Sequence, residues 1–161
     1  MQDAAQTQTV DLLISHSQVQ LRARDFDEAA CRWRPRNLEQ GAILHRDYVV
    51  FAPLPEDAFG AQVHVVLATA FAPDPRAQRR MQVPFRVNPN ARVQLASAAE
   101  AFDVTLPLQP GDYALYYEVC EGDEVYCRLT LVPAAQPVAA RYLLDDPWGG
   151  AQDAPLQDGM L

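Results

Sequence analysis

The chain has 161 residues, a formal net charge of −8 and 49% apolar residues, which predicts a folded protein with one core rather than a disordered chain. The negative charge argues against direct nucleic-acid binding, and no apolar run approaches the roughly 20 residues of a membrane span. All 13 basic residues are arginine, which excludes mechanisms that need a P-loop or Schiff-base lysine.

The two ends of the chain are predicted to lie outside the folded domain. Residues 1–8 are polar, without a basic start or an apolar stretch, so we expect a flexible N-terminus, no signal peptide and a cytoplasmic protein. Residues 9–142 are expected to form a single domain. After Tyr142 the sequence is rich in Asp, Gly, Pro and Gln, which predicts a flexible acidic C-terminal tail over 143–161.

Alternating apolar and polar residues dominate the chain and predict β-strands. Residues 10–21 indicate a long first strand with a bend near His16, and residues 43–51 indicate a second strand. Residues 63–71 are apolar at almost every position, which favours a central strand buried on both faces. Further strands, separated by turn sequences, are predicted at 81–87, 91–96, 102–108, 112–119 and 125–132.

Helical signals are confined to residues 25–41, where we predict one or two short helical turns. Asn37 is a suitable N-cap there, and Gly41 is a suitable C-terminal stop. About eight strands at intervals of roughly 8 to 12 residues are typical of an all-β fold. The predicted fold class is therefore an antiparallel β-sandwich.

The last two strands are predicted to form a hairpin with an acidic tip. Keeping the apolar residues of both strands on one face pairs Tyr117 with Cys127 and Val119 with Val125. This register leaves a three-residue turn at 121–123, where Gly122 supplies a positive φ. Glu118 would then lie on the outer, solvated face of the hairpin.

No motif in the sequence points to catalysis. His16, His45 and His64 lie far apart on predicted strands, and the three cysteines show no metal-ligand spacing. The sequence contains no motif that combines a nucleophile with a base and an orienting group. We therefore expect no enzymatic activity, no metal and no cofactor.

Negative charge is concentrated in the last third of the chain. Residues 1–99 contain 11 arginines and 10 acidic residues, a balance of +1, whereas residues 100–161 contain 2 arginines and 11 acidic residues, a balance of −9. Carboxylates crowded on one hairpin repel each other, and a basic partner would offset that cost, although a merely solubilising surface is the alternative. The predicted partner-binding residues are Glu118, Glu121, Asp123, Glu124, Asp145 and Asp146.

Four stretches of sequence follow one another along the chain in a recognisable order and spacing. They are Leu13-Ile14-Ser15-His16-Ser17-Gln18; Trp33 with Gly41 eight residues later and Phe51 ten beyond; Val83-Pro84-Phe85-Arg86-Val87; and Phe102 followed by Leu106-Pro107-Leu108-Gln109-Pro110-Gly111-Asp112-Tyr113-Ala114-Leu115. Together they resemble the competence protein J family, which includes the inhibitor of the DNA-entry nuclease of competent bacteria. The resemblance covers roughly residues 10–132.

The resemblance implies a small acidic protein that binds and blocks a bacterial DNase, either in DNA uptake or as an immunity protein against a secreted DNase toxin. A DNase site is electropositive because it holds phosphates, so a surface dense in carboxylates can occupy it. The alternative is a non-catalytic ligand-binding β-sandwich for a carbohydrate or lipid. A third hypothesis is a structural or adaptor protein. A lectin-like face would need exposed aromatic residues, for which Trp33, Tyr116 and Tyr126 are candidates.

Overall fold

The computed structural model describes residues 5–13, 18–52, 60–97, 100–121 and 124–159, and these form an all-β fold of two sheets, as predicted. Helical structure within these ranges is limited to a 3₁₀ turn at Ala29–Cys31 and helix α1 at Pro35–Gln40. The strands are β1 (Gln6–Leu13), β2 (Val19–Arg22), β3 (Ala42–His45), β4 (Tyr48–Phe51), β5 (Gly60–Leu67), β6 (Ala77–Val87), β7 (Gln94–Ala96), β8 (Ala101–Asp103), β9 (Gly111–Glu121), β10 (Val125–Ala134) and β11 (Arg141–Tyr142).

The two sheets have six and five strands. The six-stranded sheet has the order β1-β5-β10-β9-β6-β11, and the five-stranded sheet has the order β3-β4-β2-β7-β8. Strand pairs are antiparallel apart from β5 and β10, which run parallel. The predicted antiparallel sandwich is therefore interrupted at one place in the larger sheet.

The core lies between the inner faces of the two sheets. Tyr117 of β9 is fully buried and stacks on Phe51 of β4, with ring centroids 4.1 Å apart. The Tyr117 hydroxyl donates a hydrogen bond of 2.8 Å to the carbonyl oxygen of Ala52, so the polar end of this core side chain is satisfied. Alternate residues of β9 and β10 enter this core because side chains of a strand point to opposite faces in turn.

The first two predicted strands are each divided in the structure. Residues 10–21 contribute to β1 in the larger sheet and β2 in the smaller one, and residues 14–17, with the bend expected near His16, lie outside the described residues. Residues 43–51 form the hairpin β3–β4 with a turn at 46–47. That turn has neither glycine nor proline, and Asp47 alone is a weak turn signal. Residues 6–8, predicted to be flexible, belong to β1 and pair with β5.

Helix α1 begins earlier than predicted and ends where predicted. Pro35 occupies its first turn, and Asn37 lies inside the helix, where its Oδ1 accepts a hydrogen bond of 3.1 Å from the backbone N–H of Arg34. Gly41 ends the helix with a φ of 85°, a left-handed conformation that favours glycine. No helix in the described part of the chain is long and apolar enough to cross a membrane.

The C-terminal segment packs on the sandwich, so the predicted flexible tail is corrected for residues 143–159. Leu156 is buried in the core, and the N–H of Gly159 bonds to the carbonyl oxygen of Leu44. The side-chain amide of Asn37 donates a hydrogen bond of 2.9 Å to the carbonyl oxygen of Gly159. The segment is polar in composition, but a few apolar side chains and these backbone bonds are enough to fix it.

The β9–β10 hairpin has a register two residues away from the predicted one. Val125 pairs with Glu121, and Cys127 pairs with Val119. The apolar pattern has a period of two, so it fixes which face each residue occupies but not a shift by two residues. The faces are therefore as predicted, although the paired residues are not.

Candidate functional site

Two of the predicted partner-binding residues are exposed at the end of the β9–β10 hairpin. Glu121 and Glu124 are both exposed, whereas Asp123 lies outside the described residues. The Glu121 carboxylate accepts a hydrogen bond from the Gln78 amide, and its backbone N–H donates a hydrogen bond of 3.1 Å to the carbonyl oxygen of Arg76. The hairpin is thus tied to the start of β6 and to the loop before it.

Asp145 approaches the same end of the six-stranded sheet from the C-terminal segment. The N–H of Leu143 bonds to the carbonyl oxygen of Arg80, so this segment runs back along β6 toward the start of that strand. Asp145 is exposed, and its Oδ1 accepts a hydrogen bond of 2.8 Å from the N–H of Gln152. We call Glu121, Glu124 and Asp145 the acidic end.

Glu118 was predicted on a solvated face, and this prediction is wrong. It does lie on the outer face of the larger sheet, but its side chain is 0% exposed. Its Oε2 lies 2.9 Å from Nε of Arg80, and its Oε1 lies 4.0 Å from Nε of Arg128. Burial raises the pKa of the Glu118 carboxyl, and the hydrogen bonds from Arg80 and the backbone N–H of Asp74 only partly oppose this. Glu118 cannot touch a partner in this arrangement.

The loop that covers Glu118 consists of residues 68–76, between β5 and β6. The N–H of Asp74 donates a hydrogen bond of 2.9 Å to Oε2 of Glu118, and Nη2 of Arg80 donates one of 2.8 Å to the carbonyl oxygen of Asp74. Phe71 stacks on Tyr116 of β9 with ring centroids 3.9 Å apart. The loop therefore lies flat against the outer face of the sheet.

Asp74 carries a carboxylate that was not among the predicted partner-binding residues. Its Oδ2 accepts a hydrogen bond of 2.7 Å from the Tyr126 hydroxyl, and its Oδ1 accepts one of 2.8 Å from the N–H of Arg76. Burial raises the pKa of Asp74, but these bonds and the nearby charge of Arg128 outweigh it, so the pKa is lowered. Its position between Pro73 and Pro75 was a turn signal in the sequence.

Asp146 was also predicted as a partner-binding residue, but its side chain is 0% exposed. Its carboxylate forms a bidentate ion pair with Arg79, with distances of 2.8 Å from Nε to Oδ2 and 3.0 Å from Nη2 to Oδ1. The N–H groups of Trp148 and Gly150 donate hydrogen bonds of 2.9 and 2.8 Å to Oδ1. Burial raises the pKa of Asp146, but these hydrogen bonds outweigh it, and the pKa is lowered. Asp146 anchors the C-terminal segment.

The aromatic residues considered for a lectin-like face do not form one. Tyr116 lies under Phe71, and the Tyr126 hydroxyl is bonded to Asp74. Trp33 is half-buried and packs against the cluster of the 3₁₀ turn and the smaller sheet. Among the described residues there is no group of three or more His, Cys, Asp or Glu side chains that could hold a metal ion.

Comparison with known proteins identifies the family. The sequence model of competence protein J (ComJ) matches residues 11–132. The chain belongs to the competence protein J family. The fold agrees with that of the crystal structure of ComJ, inhibitor of the DNA degrading activity of NucA, from Bacillus subtilis. The TM-score is 0.67 at 17% sequence identity, and the match covers 82% of this chain and 100% of that chain. Comparison with curated protein sequences gives no significant match.

The family match divides the candidate residues into two groups. The matched range includes the 68–76 loop and both strands of the β9–β10 hairpin, with Glu118, Glu121 and Glu124. Asp145 and Asp146 lie beyond it. The part of the acidic end that the competence protein J match covers is therefore the hairpin, and the C-terminal segment lies beside it.

Proposed function

We propose that this protein binds a bacterial DNase and blocks its degradation of DNA. The observation that carries the proposal is membership of the competence protein J family over residues 11–132. The ComJ of Bacillus subtilis is an inhibitor of the DNA degrading activity of NucA, which indicates the kind of partner. On this proposal the protein is not itself an enzyme, and it contacts the nuclease rather than the nucleic acid or a membrane.

The acidic end is the proposed contact surface. A nuclease must hold the phosphates of its substrate, so its active site attracts negative charge, and carboxylates can take the place of those phosphates. Glu121 and Glu124 are exposed, and neither forms an ion pair with an arginine in the described residues. Asp123 lies between them in sequence, and Asp145 approaches from the side. Glu118 and Asp146 are buried and are left out of the contact surface.

The proposal fits a nuclease of the DNA-uptake type or a related secreted toxin, because both must present an electropositive site to DNA. The proposed compartment is the cytoplasm. Cys31, Cys120 and Cys127 are free thiols, which suits a reducing compartment.

A DNA-degradation assay tests the function directly. The purified protein is mixed with a nuclease from the same organism that is similar to NucA, and loss of linear DNA is followed with time. We expect complete inhibition once the protein slightly exceeds the nuclease, and added DNA should relieve the inhibition only partly, because an inhibitor that occupies the active site competes with DNA. Continued degradation with a large molar excess of the protein contradicts the proposal. If the amount of protein needed matches the amount of DNA whatever the nuclease concentration, the protein binds DNA instead.

A charge-neutralising triple variant tests the surface. Glu121→Gln, Asp123→Asn and Glu124→Gln together should slow association with the nuclease by about tenfold at low salt and less at high salt, because exposed charges act mainly on the rate of encounter. The matched control is Asp25→Asn, Glu28→Gln and Glu39→Gln, which removes the same charge from exposed positions elsewhere. Equal association rates for the two triple variants at both salt concentrations contradict this placement.

A further inference from the structure

The 68–76 loop is held against the larger sheet by a closed set of contacts around one buried carboxylate. Oε2 of Glu118 accepts hydrogen bonds from Nε of Arg80 and from the N–H of Asp74, both at 2.9 Å. Arg80 also reaches the carbonyl oxygen of Asp74 through Nη2, at 2.8 Å. Each of the three residues is bonded to the other two, so the backbone of Asp74 is fixed relative to β6 and β9.

The side chain of Asp74 is fixed as well. Its two carboxylate oxygens are held by different groups, Oδ1 by the N–H of Arg76 and Oδ2 by the hydroxyl of Tyr126. The Cys120 thiol also bonds to this carboxylate, which has about four acceptor sites, so part of its acceptor capacity remains free. Asp74 is only half-buried, so this charge stays open to solvent. A charge held in one geometry binds a cationic partner with less loss of side-chain entropy.

The same loop continues into the acidic end. The carbonyl oxygen of Arg76, two residues after Asp74, accepts the hydrogen bond from the N–H of Glu121. Tyr126, which holds Asp74, lies on β10 one residue after the Val125 that pairs with Glu121. Asp74 therefore lies beside the hairpin end on the outer face of the sheet, next to the carboxylates proposed to meet the nuclease.

Glu118 is poorly arranged for a purely stabilising role. Its Oε1 and the Nε of Arg128 are buried, 4.0 Å apart, and neither has a hydrogen-bond partner in the described residues. Buried carboxylates whose task is stability are usually fully hydrogen-bonded, since an unsatisfied polar atom costs free energy. All the hydrogen bonds that Glu118 accepts there serve Asp74 or its neighbour Arg80.

We propose that Asp74 is a contact residue of the inhibitory surface, facing a lysine or arginine that holds DNA phosphate in the nuclease, and that Glu118 is the positioning residue that presents it. The inference rests on the proposed function and extends its contact surface from the hairpin to the 68–76 loop. It also gives a role to the carboxylate of Glu118, which is buried and cannot touch the partner.

The test measures association rates with the nuclease at low and high salt for a set of single and double variants. Asp74→Asn should slow association about threefold at low salt, the size expected for one charge at the rim of an interface. Glu118→Leu should slow association by the same factor, although residue 118 does not touch the partner. Glu118→Gln, which can keep both hydrogen bonds of Oε2, should stay within about twofold of wild type. Asp158→Asn, an exposed acid outside the proposed surface, is the matched control.

The double variant separates positioning from general stability. If Glu118 acts through Asp74, adding Glu118→Leu to Asp74→Asn should slow association no further, whereas independent effects would multiply. Should Glu118→Leu fail to fold, Arg80→Lys takes its place, because lysine cannot donate to Glu118 and to the Asp74 carbonyl with the fork of an arginine. An association rate for Arg80→Lys equal to that of wild type would then overturn the positioning role.

The outcomes distinguish this inference from the proposed function. A wild-type protein that does not inhibit the nuclease refutes the proposed function, and the inference falls with it. A wild-type protein that inhibits, while Asp74→Asn associates as fast as Asp158→Asn, refutes only the role of Asp74. Multiplicative effects in the double variant refute the positioning role of Glu118 while leaving Asp74 as a contact.

Discussion

Arg79 and Arg80 are consecutive residues of β6, and each forms a buried ion pair on a different face of the larger sheet. Arg79 faces inward and holds Asp146 of the C-terminal segment, while Arg80 faces outward and holds Glu118 of β9. The Asp146 carboxylate accepts four hydrogen bonds over its two oxygens. In Glu118 one oxygen accepts two hydrogen bonds, and the other has no hydrogen-bond partner in the described residues.

The pKa values of the two carboxyl groups are shifted in opposite directions. Burial acts against the charged form of both carboxyls, and only in Asp146 do the hydrogen bonds overcome it, so the pKa of Asp146 is lowered and that of Glu118 is raised. A fully satisfied pair fixes a segment of chain in place. The half-satisfied pair of Glu118 contributes less to stability, and its contacts serve the loop that carries Asp74. Burial alone therefore does not show whether an ion pair stabilises the fold or positions another residue.

The largest expected effect comes from breaking the satisfied pair. Asp146→Asn should lower the free energy of unfolding by about 3 to 5 kcal/mol, because it leaves the Arg79 guanidinium buried without a counter-charge. Denaturant unfolding at neutral pH measures it. The control is Asp153→Asn, which breaks the exposed pair with Arg141 and should cost no more than about 1 kcal/mol. Equal losses for both variants would contradict the role assigned to Asp146.

Acid should weaken the wild type more than Asp146→Asn. Since the pKa of Asp146 is lower in the folded than in the unfolded chain, its contribution is complete above the unfolded pKa and is lost as the pH falls through the folded pKa. The gap in unfolding free energy between wild type and variant should therefore narrow from pH 7 toward pH 3. Denaturant unfolding across this range measures the gap. A constant gap would show that Asp146 does not titrate as the structure indicates.

Glu118→Gln should lower the free energy of unfolding by a smaller amount, about 1 to 2 kcal/mol, because the amide oxygen can still accept hydrogen bonds from Arg80 and Asp74. Its pH dependence has the opposite sign. Because the pKa of Glu118 is raised in the folded chain, its contribution to stability is complete at low pH and is lost as the pH rises through the folded pKa. The charged groups around Glu118 are Arg80, Arg128 and Asp74. The stability of wild type relative to this variant should therefore improve as the pH falls, and unfolding at pH 4 and pH 7 measures it.

The sequence predicted the sheets better than it predicted the candidate site. Period-two alternation located most strands and placed Glu118 on the outer face, but the pattern cannot show that a distant loop covers that face. Asp146 sits in a stretch of tail-like composition, and its partner Arg79 is far away in sequence. The hairpin acids Glu121 and Glu124 are exposed as predicted because their location depends only on a local turn. Local sequence patterns do not predict contacts between segments that are far apart in the chain.

The smallest expected effect tests whether the 68–76 loop is held at two separate points. Tyr126→Phe removes the hydroxyl that bonds to Oδ2 of Asp74 but leaves the bonds of Glu118 to Arg80 and to the Asp74 backbone intact. The half-buried carboxylate can turn to water, so the loss in unfolding free energy should be about 1 kcal/mol or less.

Amide hydrogen exchange locates that loss. Because the Arg76 N–H bonds to the carboxylate that Tyr126 steadies, its exchange in Tyr126→Phe should quicken by about fivefold, the equivalent of about 1 kcal/mol in local opening. The Asp74 N–H donates to Glu118 instead and should keep its protection. The matched control is Glu118→Leu, in which the Asp74 N–H should lose protection first. If both amides quicken equally in Tyr126→Phe, the loop opens as one unit and Glu118 does not hold its backbone independently. Separate responses would show that one residue fixes the position of Asp74 and another the direction of its charge.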